Sequence, residues 1–271
     1  MTIGIGLLCE RGKAIIMGAD KRGTYDPIAT ANDECGKLFK LPFGFCGAIA
    51  GTIGYCEPVI SELGHRMDGL KENERSVEYI EREMKAALHH IHLGLVGTAL
   101  MQECAITISQ YWHDEKIVSE VRERAQETIR DTHLPVQLIV GGFHQDTSIL
   151  LWSNELQVWE EVSPGNAVIG SGVIHALNWL GYRRQNIEVS AQRSFMHLVE
   201  AKEFSELQKT VGPVAQYVML TKQGMEPLEG QSDLLKRWWG AYGLQPSDRL
   251  DSAEERAAFL GAFGISADTL D

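Results

Sequence analysis

The chain has 271 residues, 44% of them apolar and 23% charged, a balance that supports one sizeable globular core and excludes disordered, collagen-like and coiled-coil architectures. Lys and Arg number 25 against 37 Asp and Glu, a formal charge of −12. That excess disfavours phosphate backbones and anionic membranes, and no basic run exceeds the pairs Arg183-Arg184 and Lys236-Arg237, so neither a nucleic-acid nor a membrane partner is expected.

The five cysteines are odd in number and have no C-x-x-C spacing, which points to a reducing compartment. The first residues show no basic segment followed by an apolar leader, and no uninterrupted apolar run reaches about 18 residues. The expectation is a cytoplasmic protein.

In chain order, residues 3–8 and 14–19 are apolar runs joined by Glu10-Arg11-Gly12-Lys13, the pattern of a hairpin. A second pair of strands is predicted over 37–41 and 44–50, broken by Pro42. From Gly54 the period becomes helical. Cys56, Val59, Ile60, Leu63 and Met67 share a face, as do Val77, Ile80, Met84, Leu88, Ile91 and Leu95, and then Ile117, Val121, Ala125 and Ile129. Strands return at 136–140, 148–153 and 157–162, followed by helices over 173–181 and 195–207 and a strand over 214–221.

Strands and helices that are segregated in this way predict an α+β fold, with packed antiparallel sheets flanked by helices. The expected division is a main domain over 1–223, with an enlarged helical block at about 90–132, and a helical appendage over 224–271 that docks on it. In that appendage Ser252 and Glu255 have capping-box spacing, and Trp238-Trp239 with Tyr242 form a docking or oligomer contact patch.

Chemistry begins at position 2. Met1 precedes a small residue, so its removal leaves Thr2 with a free α-amine. A hydroxyl and an amine on one residue supply nucleophile and base together, because an α-amine of pKa about 7.7 to 8.0 accepts a proton at neutral pH. Two other candidates are set aside. His89 and His92 share a helical face but have no carboxylate or cysteine partner at ligand spacing, so no metal is expected. Gly170-Ser171-Gly172 lacks the spacing of a serine nucleophile elbow.

Around Thr2 the chain resembles the proteasome-type N-terminal nucleophile hydrolases, above all proteasome β subunits and related bacterial peptidases. The matching segments are Thr2-Ile3-Gly4-Ile5-Gly6-Leu7, Gly18-Ala19-Asp20-Lys21-Arg22-Gly23-Thr24, Gly36-Lys37-Leu38-Phe39 and Ala48-Ile49-Ala50-Gly51-Thr52-Ile53-Gly54. Further on, Gln137-Leu138-Ile139-Val140-Gly141-Gly142, Val168-Ile169-Gly170-Ser171-Gly172 and Val211-Gly212-Pro213-Val214 follow in the same order. The resemblance covers about residues 2–222.

It implies a four-layer αββα sandwich of two antiparallel sheets and a threonine peptidase that cuts peptide amide bonds through a Thr2 acyl-enzyme, without a cofactor. Asp20 and Lys37 would form the charged pair beside Thr2, Gly51 N–H would hold the oxyanion, and Ser171 would support the amine. Thr24 would align the substrate backbone, and Ile49 would wall the pocket before the cut. The implied assembly is a homo-oligomeric ring or stack that takes peptides or unfolded protein, with an ATP-dependent unfoldase as feeder.

Three features depart from the family pattern. Asp20 lies 18 positions after Thr2, two more than usual, an excess placed in the turn at 11–13. The family's second aspartate and serine are Gln208 and Val211 here, and the helical block and tail are longer. Those losses keep a catalytically inactive structural subunit as an alternative, and the additions suit a specialised amidase or peptide-joining enzyme.

Overall fold

The computed structural model describes residues 3–25, 30–32, 36–161, 164–207, 211–228 and 252–262, with backbone only at 23–25, 30–32, 255, 256 and 262. Two five-stranded antiparallel sheets lie face to face. The first has the order β10-β1-β2-β11-β12, built from Asn166–Gly170, Ile3–Cys9, Ala14–Asp20, Ala215–Thr221 and Gly224–Pro227. The second runs β5-β6-β7-β8-β9, from Leu38–Lys40, Cys46–Gly51, Val136–His144, Thr147–Asn154 and Gln157–Glu160. A small hairpin of β3 (Gly23–Tyr25) and β4 (Thr30–Asn32) stands apart.

Helices close both outer faces. Against the second sheet lie α1 (Ile53–Asp68) and α2 (Val77–Cys104), with α3 (Ile108–His113) and α4 (Ser119–Asp131) added to the end of α2 around Val96, Leu100, Tyr111 and Ala125. Against the first lie α5 (Val173–Tyr182), α6 (Ala191–Ser205) and α7 (Ala253–Ala262). The result is the αββα sandwich that the resemblance implies, with the packed antiparallel sheets and flanking helices that the sequence pattern predicts.

The alternation in β1 sets how closely these layers pack. Ile3, Ile5 and Leu7 point into the helix-side core with Phe195 and Leu198. Gly4 and Gly6 face the other sheet; a β-carbon on Gly4 would lie 2.9 Å from Ile169 of the neighbouring strand β10 and 3.4 Å from Ala48 of the other sheet, and one on Gly6 3.0 Å from Leu150 of the other sheet. Glycine thus lets the two sheets approach at this strand.

The β1–β2 turn is a 3-10 turn over Glu10–Gly12, with Glu10 and Arg11 both in the left-handed region at φ 51° and 59°. Their amides donate to Val189 O and Ile187 O, which holds an unfavourable backbone in place.

Several boundaries differ from the sequence-based expectation. β6 starts at Cys46 because Pro42–Gly44 forms a 3-10 turn with Phe43 at φ 62°. The second apolar stripe belongs to a helix of 28 residues, which ends where Ala105 turns left-handed. α6 starts at Ala191, four residues before the predicted Phe195, since Gln192 and Ser194 are polar yet buried. β3, β4, β10, β12 and α3 were not predicted as separate elements.

Residues 224–227, at the head of the expected appendage, pair with β11. Farther along, Phe259 and Leu260 of α7 are buried in the α6 core, and Phe259 lies 5.9 Å from Phe195. Trp238, Trp239 and Tyr242 lie outside the described residues, as does the Glu255 side chain of the predicted capping box.

Candidate active site

Asp20 ends β2, with no side-chain exposure. A buried carboxylate needs partners, and this one has several. Its Oδ1 accepts the Ile3 N–H at 2.9 Å and the Lys37 ammonium at 3.0 Å, while Oδ2 accepts the Gly212 N–H at 2.9 Å. One anion therefore ties the start of β1, the residue before β5 and the approach to β11. Charge-assisted bonds of this kind are short and strong.

Lys37 is itself buried, and its ammonium also donates to Arg22 O. Its carbonyl accepts Ile49 N–H at 3.1 Å, which fixes the lysine to β6. The pair thus joins the two sheets at one end of the sandwich. Ile3, the residue after Thr2, has its amide held by this pair; Thr2 lies outside the described residues.

Gly51 ends β6, adjacent to Thr52, the N-cap of α1. Its φ is 140°, and a β-carbon there would lie 2.1 Å from Pro135 O, so no other residue fits without displacing that backbone. The exposed glycine and the first turn of α1 put main-chain N–H groups and the positive end of a helix dipole at the edge of the second sheet.

Ser171 follows β10, whose last residue Gly170 is in register with Ile3. The Gly170 N–H donates to Gln137 Oε1 at 2.7 Å, and Gln137 Nε2 donates to Asn154 at 2.9 Å. Next to Ser171, Gly172 packs so tightly against Ile3 that a β-carbon would be 2.8 Å from Ile3 Cδ1. Backbone pairing therefore brings Asp20, Lys37 and the Gly170-Ser171-Gly172 turn to the start of β1.

The remaining candidates lie elsewhere or beyond description. Ile49 is buried in the helix-side core with Val59, Leu63 and Leu138. Thr24 lies on β3 opposite Ala31, with its side chain outside the description. Gln208 lies outside the described residues, and Val211 is buried with Ile3 and Phe195, presenting isopropyl where the family pattern has a hydroxyl.

Sequence reasoning did not single out Gln137, Gly212 and Cys56. The first two take part in bonds between a main-chain N–H and a side chain from a distant segment, which no local pattern records. Cys56 sits in the first turn of α1, and burial pushes its thiol up to about 11, offset in part by the positive charge of Lys37. Burial likewise pushes Cys46 up to about 12 and raises Cys9 further.

Among the described residues no group of three or more His, Cys, Asp or Glu could hold a metal ion, and no helix is long and apolar enough to cross a membrane. His92 Nε2 is engaged with Thr132 O at 2.9 Å.

The architecture is that of the proteasome-like N-terminal nucleophile hydrolase fold. Among solved structures, a mutant of Anbu from Hyphomicrobium sp. strain MC1 is similar to this chain, with a TM-score of 0.60 and 13% identity over 94% of this chain and 97% of that one. No family profile and no curated protein matches the sequence. At that identity the likeness is one of fold.

Proposed function

We propose that this chain is a threonine peptidase of the proteasome-like class, with Thr2 as nucleophile after loss of Met1. The observation that carries the reading is the Asp20 carboxylate, which holds Lys37 and the amide of the residue next to Thr2. Its donors include the Lys37 ammonium, and so the role assigned to it is to position a cation.

In this mechanism Thr2 Oγ attacks the substrate carbonyl while the α-amine takes the hydroxyl proton. The Lys37 charge disfavours a second positive charge nearby and keeps the amine neutral and able to act as base. Gly51 N–H donates to the oxyanion, and Ser171 supports the amine. The ammonium then returns its proton to the leaving amine as the C–N bond breaks. Water attacks the remaining ester, the amine again acts as base, and acid product leaves with Thr2 restored. Thr24 aligns the substrate backbone.

No metal or organic cofactor enters these steps. Peptide or unfolded protein is the substrate class, delivered to a cytoplasmic homo-oligomeric ring or stack by an ATP-dependent unfoldase.

Val211 favours a second reading, an inactive structural subunit, because its buried isopropyl group cannot make the hydrogen bonds of the serine that the family pattern has there. Intact mass before and after an N-terminal-threonine-directed β-lactone or epoxyketone separates the two. Loss of Met1 and a single adduct absent from Thr2→Ala supports the enzyme; retained Met1 or an unmodified protein supports the structural subunit. The raised Cys9, Cys46 and Cys56 thiols are weak competitors for the reagent at neutral pH. A panel of peptides and small amides then distinguishes a peptidase from a specialised amidase or peptide-joining enzyme.

A further inference from the structure

Helix α6 is buried along most of its length between α5, α7 and the first sheet, so each polar side chain on it needs partners. Near its end stands Lys202, whose side chain is only 4% exposed. A buried ammonium is costly unless it is well paired. It meets the half-buried Glu206 one turn on, and Glu203 beside it feels its charge, but both carboxylates belong to its own helix. Among the described residues, the one bond that the Lys202 side chain makes outside α6 is to Pro213 O, at 2.6 Å.

Pro213 lies in the approach to β11, where three successive residues each meet a different neighbour. Gly212 N–H donates to Asp20 Oδ2 at 2.9 Å, and Val214 O accepts the Lys21 N–H at 2.8 Å. Between them Pro213 has no N–H to give, and its carbonyl is taken by Lys202. The segment is thus fastened to the end of β2 on one side and to α6 on the other. Ser205, three residues after Lys202, reaches the turn that follows β10. Its hydroxyl lies 3.3 Å from Gly172 O, and a β-carbon on Gly172 would be 2.9 Å from Ser205 Cβ. The last turn of α6 therefore braces both main-chain segments that converge on the start of β1.

We propose that Lys202 is a positioning residue for the reaction: by holding Pro213 O it fixes the Gly212 N–H against Asp20, and through Asp20 it fixes the Lys37 ammonium at the start of β1. The inference rests on the reading of Thr2 as nucleophile. It also bears on Val211, whose side chain anchors this segment in the apolar core but offers no hydrogen bond. Where the family pattern has a serine, this chain secures the segment with a charge from the helix behind it. A charged donor suits that task, because its bond to a carbonyl is stronger than that of a neutral one.

Lys202→Met keeps most of the side-chain stem and removes the donor, and two measurements on the full chain test its effect. The first is the rate of Thr2 labelling by a β-lactone as reagent concentration is raised. The limiting rate should fall about 10- to 100-fold with the half-saturating concentration unchanged, since a displaced charge disturbs the attacking group and not reagent binding. The second is amide hydrogen exchange. Gly212 N–H should exchange about tenfold faster, while Ile139 and Val140 in the second sheet exchange as in the wild type. A lysine that merely supported the fold would raise exchange in both places and leave the limiting rate per folded molecule unchanged, which overturns the proposal; so does unchanged exchange at Gly212. A wild type that takes no label defeats the threonine-peptidase reading itself, and the catalytic role of Lys202 with it. A labelled wild type matched by Lys202→Met defeats the role of Lys202 alone. Should Lys202→Met not fold, Glu206→Gln at its half-buried position decides: a loosened ammonium should slow labelling about two- to threefold, and an unchanged rate overturns the role.

Discussion

Two buried ion pairs serve the first sheet, Lys37–Asp20 at the end of its central strand and Arg183–Glu200 in the helices above it, and they differ in what each ion joins. Arg183 meets Glu200 in two bonds of 2.7 and 2.5 Å, Trp179 donates to the same carboxylate at 2.9 Å, and both residues come from one helical hairpin. That arrangement joins α5 to α6, its geometry set by the planar guanidinium fork. Asp20 instead spends most of its capacity on main-chain N–H groups from separate segments, and Lys37 is a compact charge held beside the start of β1. The helix-layer pair fastens neighbours; the rim pair positions a charge where chain segments converge.

Removing one member of each sharpens the contrast. Glu200→Ala leaves a buried guanidinium without its counter-ion and should cost about 3–5 kcal/mol in urea unfolding, with hydrolysis per folded molecule unchanged. Lys37→Met leaves Asp20 its two amide donors, so a smaller stability loss of about 1–3 kcal/mol is expected, while hydrolysis and Thr2 acylation fall by roughly 1,000-fold. Equal activity losses in the two variants would erase the distinction.

The helix layer also has a pH signature. His197 Nδ1 lies 2.8 Å from Gln185 Oε1, so the neutral ring donates there, and burial pushes its pKa from 6.5 down to about 3. An unfolded chain therefore binds a proton that the folded one refuses as pH falls below 6.5, and stability should fall with it, by roughly 1 kcal/mol per pH unit down to about 3. Above 6.5 the contribution is fully present. Denaturation of His197→Gln between pH 7 and 4 should show a flatter acid limb than the wild type; the same slope in both would place the acid sensitivity elsewhere. The smallest effect is expected for Gln137→Leu, which leaves Gly170 N–H without its partner and should cost about 1–2 kcal/mol in the same unfolding measurement.

These networks also show what was legible in the residues. The alternation of Ile3, Gly4, Ile5 and Gly6 announced β1, and the apolar stripes of α1 and α2 announced the helix side of the second sheet, because a buried face repeats with the period of its own element. The candidate pair Asp20 and Lys37 came from resemblance in ordered motifs, and the structure places them in contact. Arg183–Glu200 left no local trace, since each is an ordinary polar residue in its helix until α5 folds back on α6. β3, β4 and β12 are three or four residues long, too short for a period to emerge, and β10 was read only as a motif.

The alternating glycines of β1 have a last consequence, for handling the protein. They work as a ruler: sliding the strand by one residue would drive Ile3 and Ile5 into spaces that barely admit a β-carbon at Gly4 and Gly6, and would turn glycine toward a core that needs isoleucine. The strand cannot take up a length error at its beginning. Any residue added before Thr2 by expression or tagging must stay ahead of the strand, so a purification handle belongs at the other terminus.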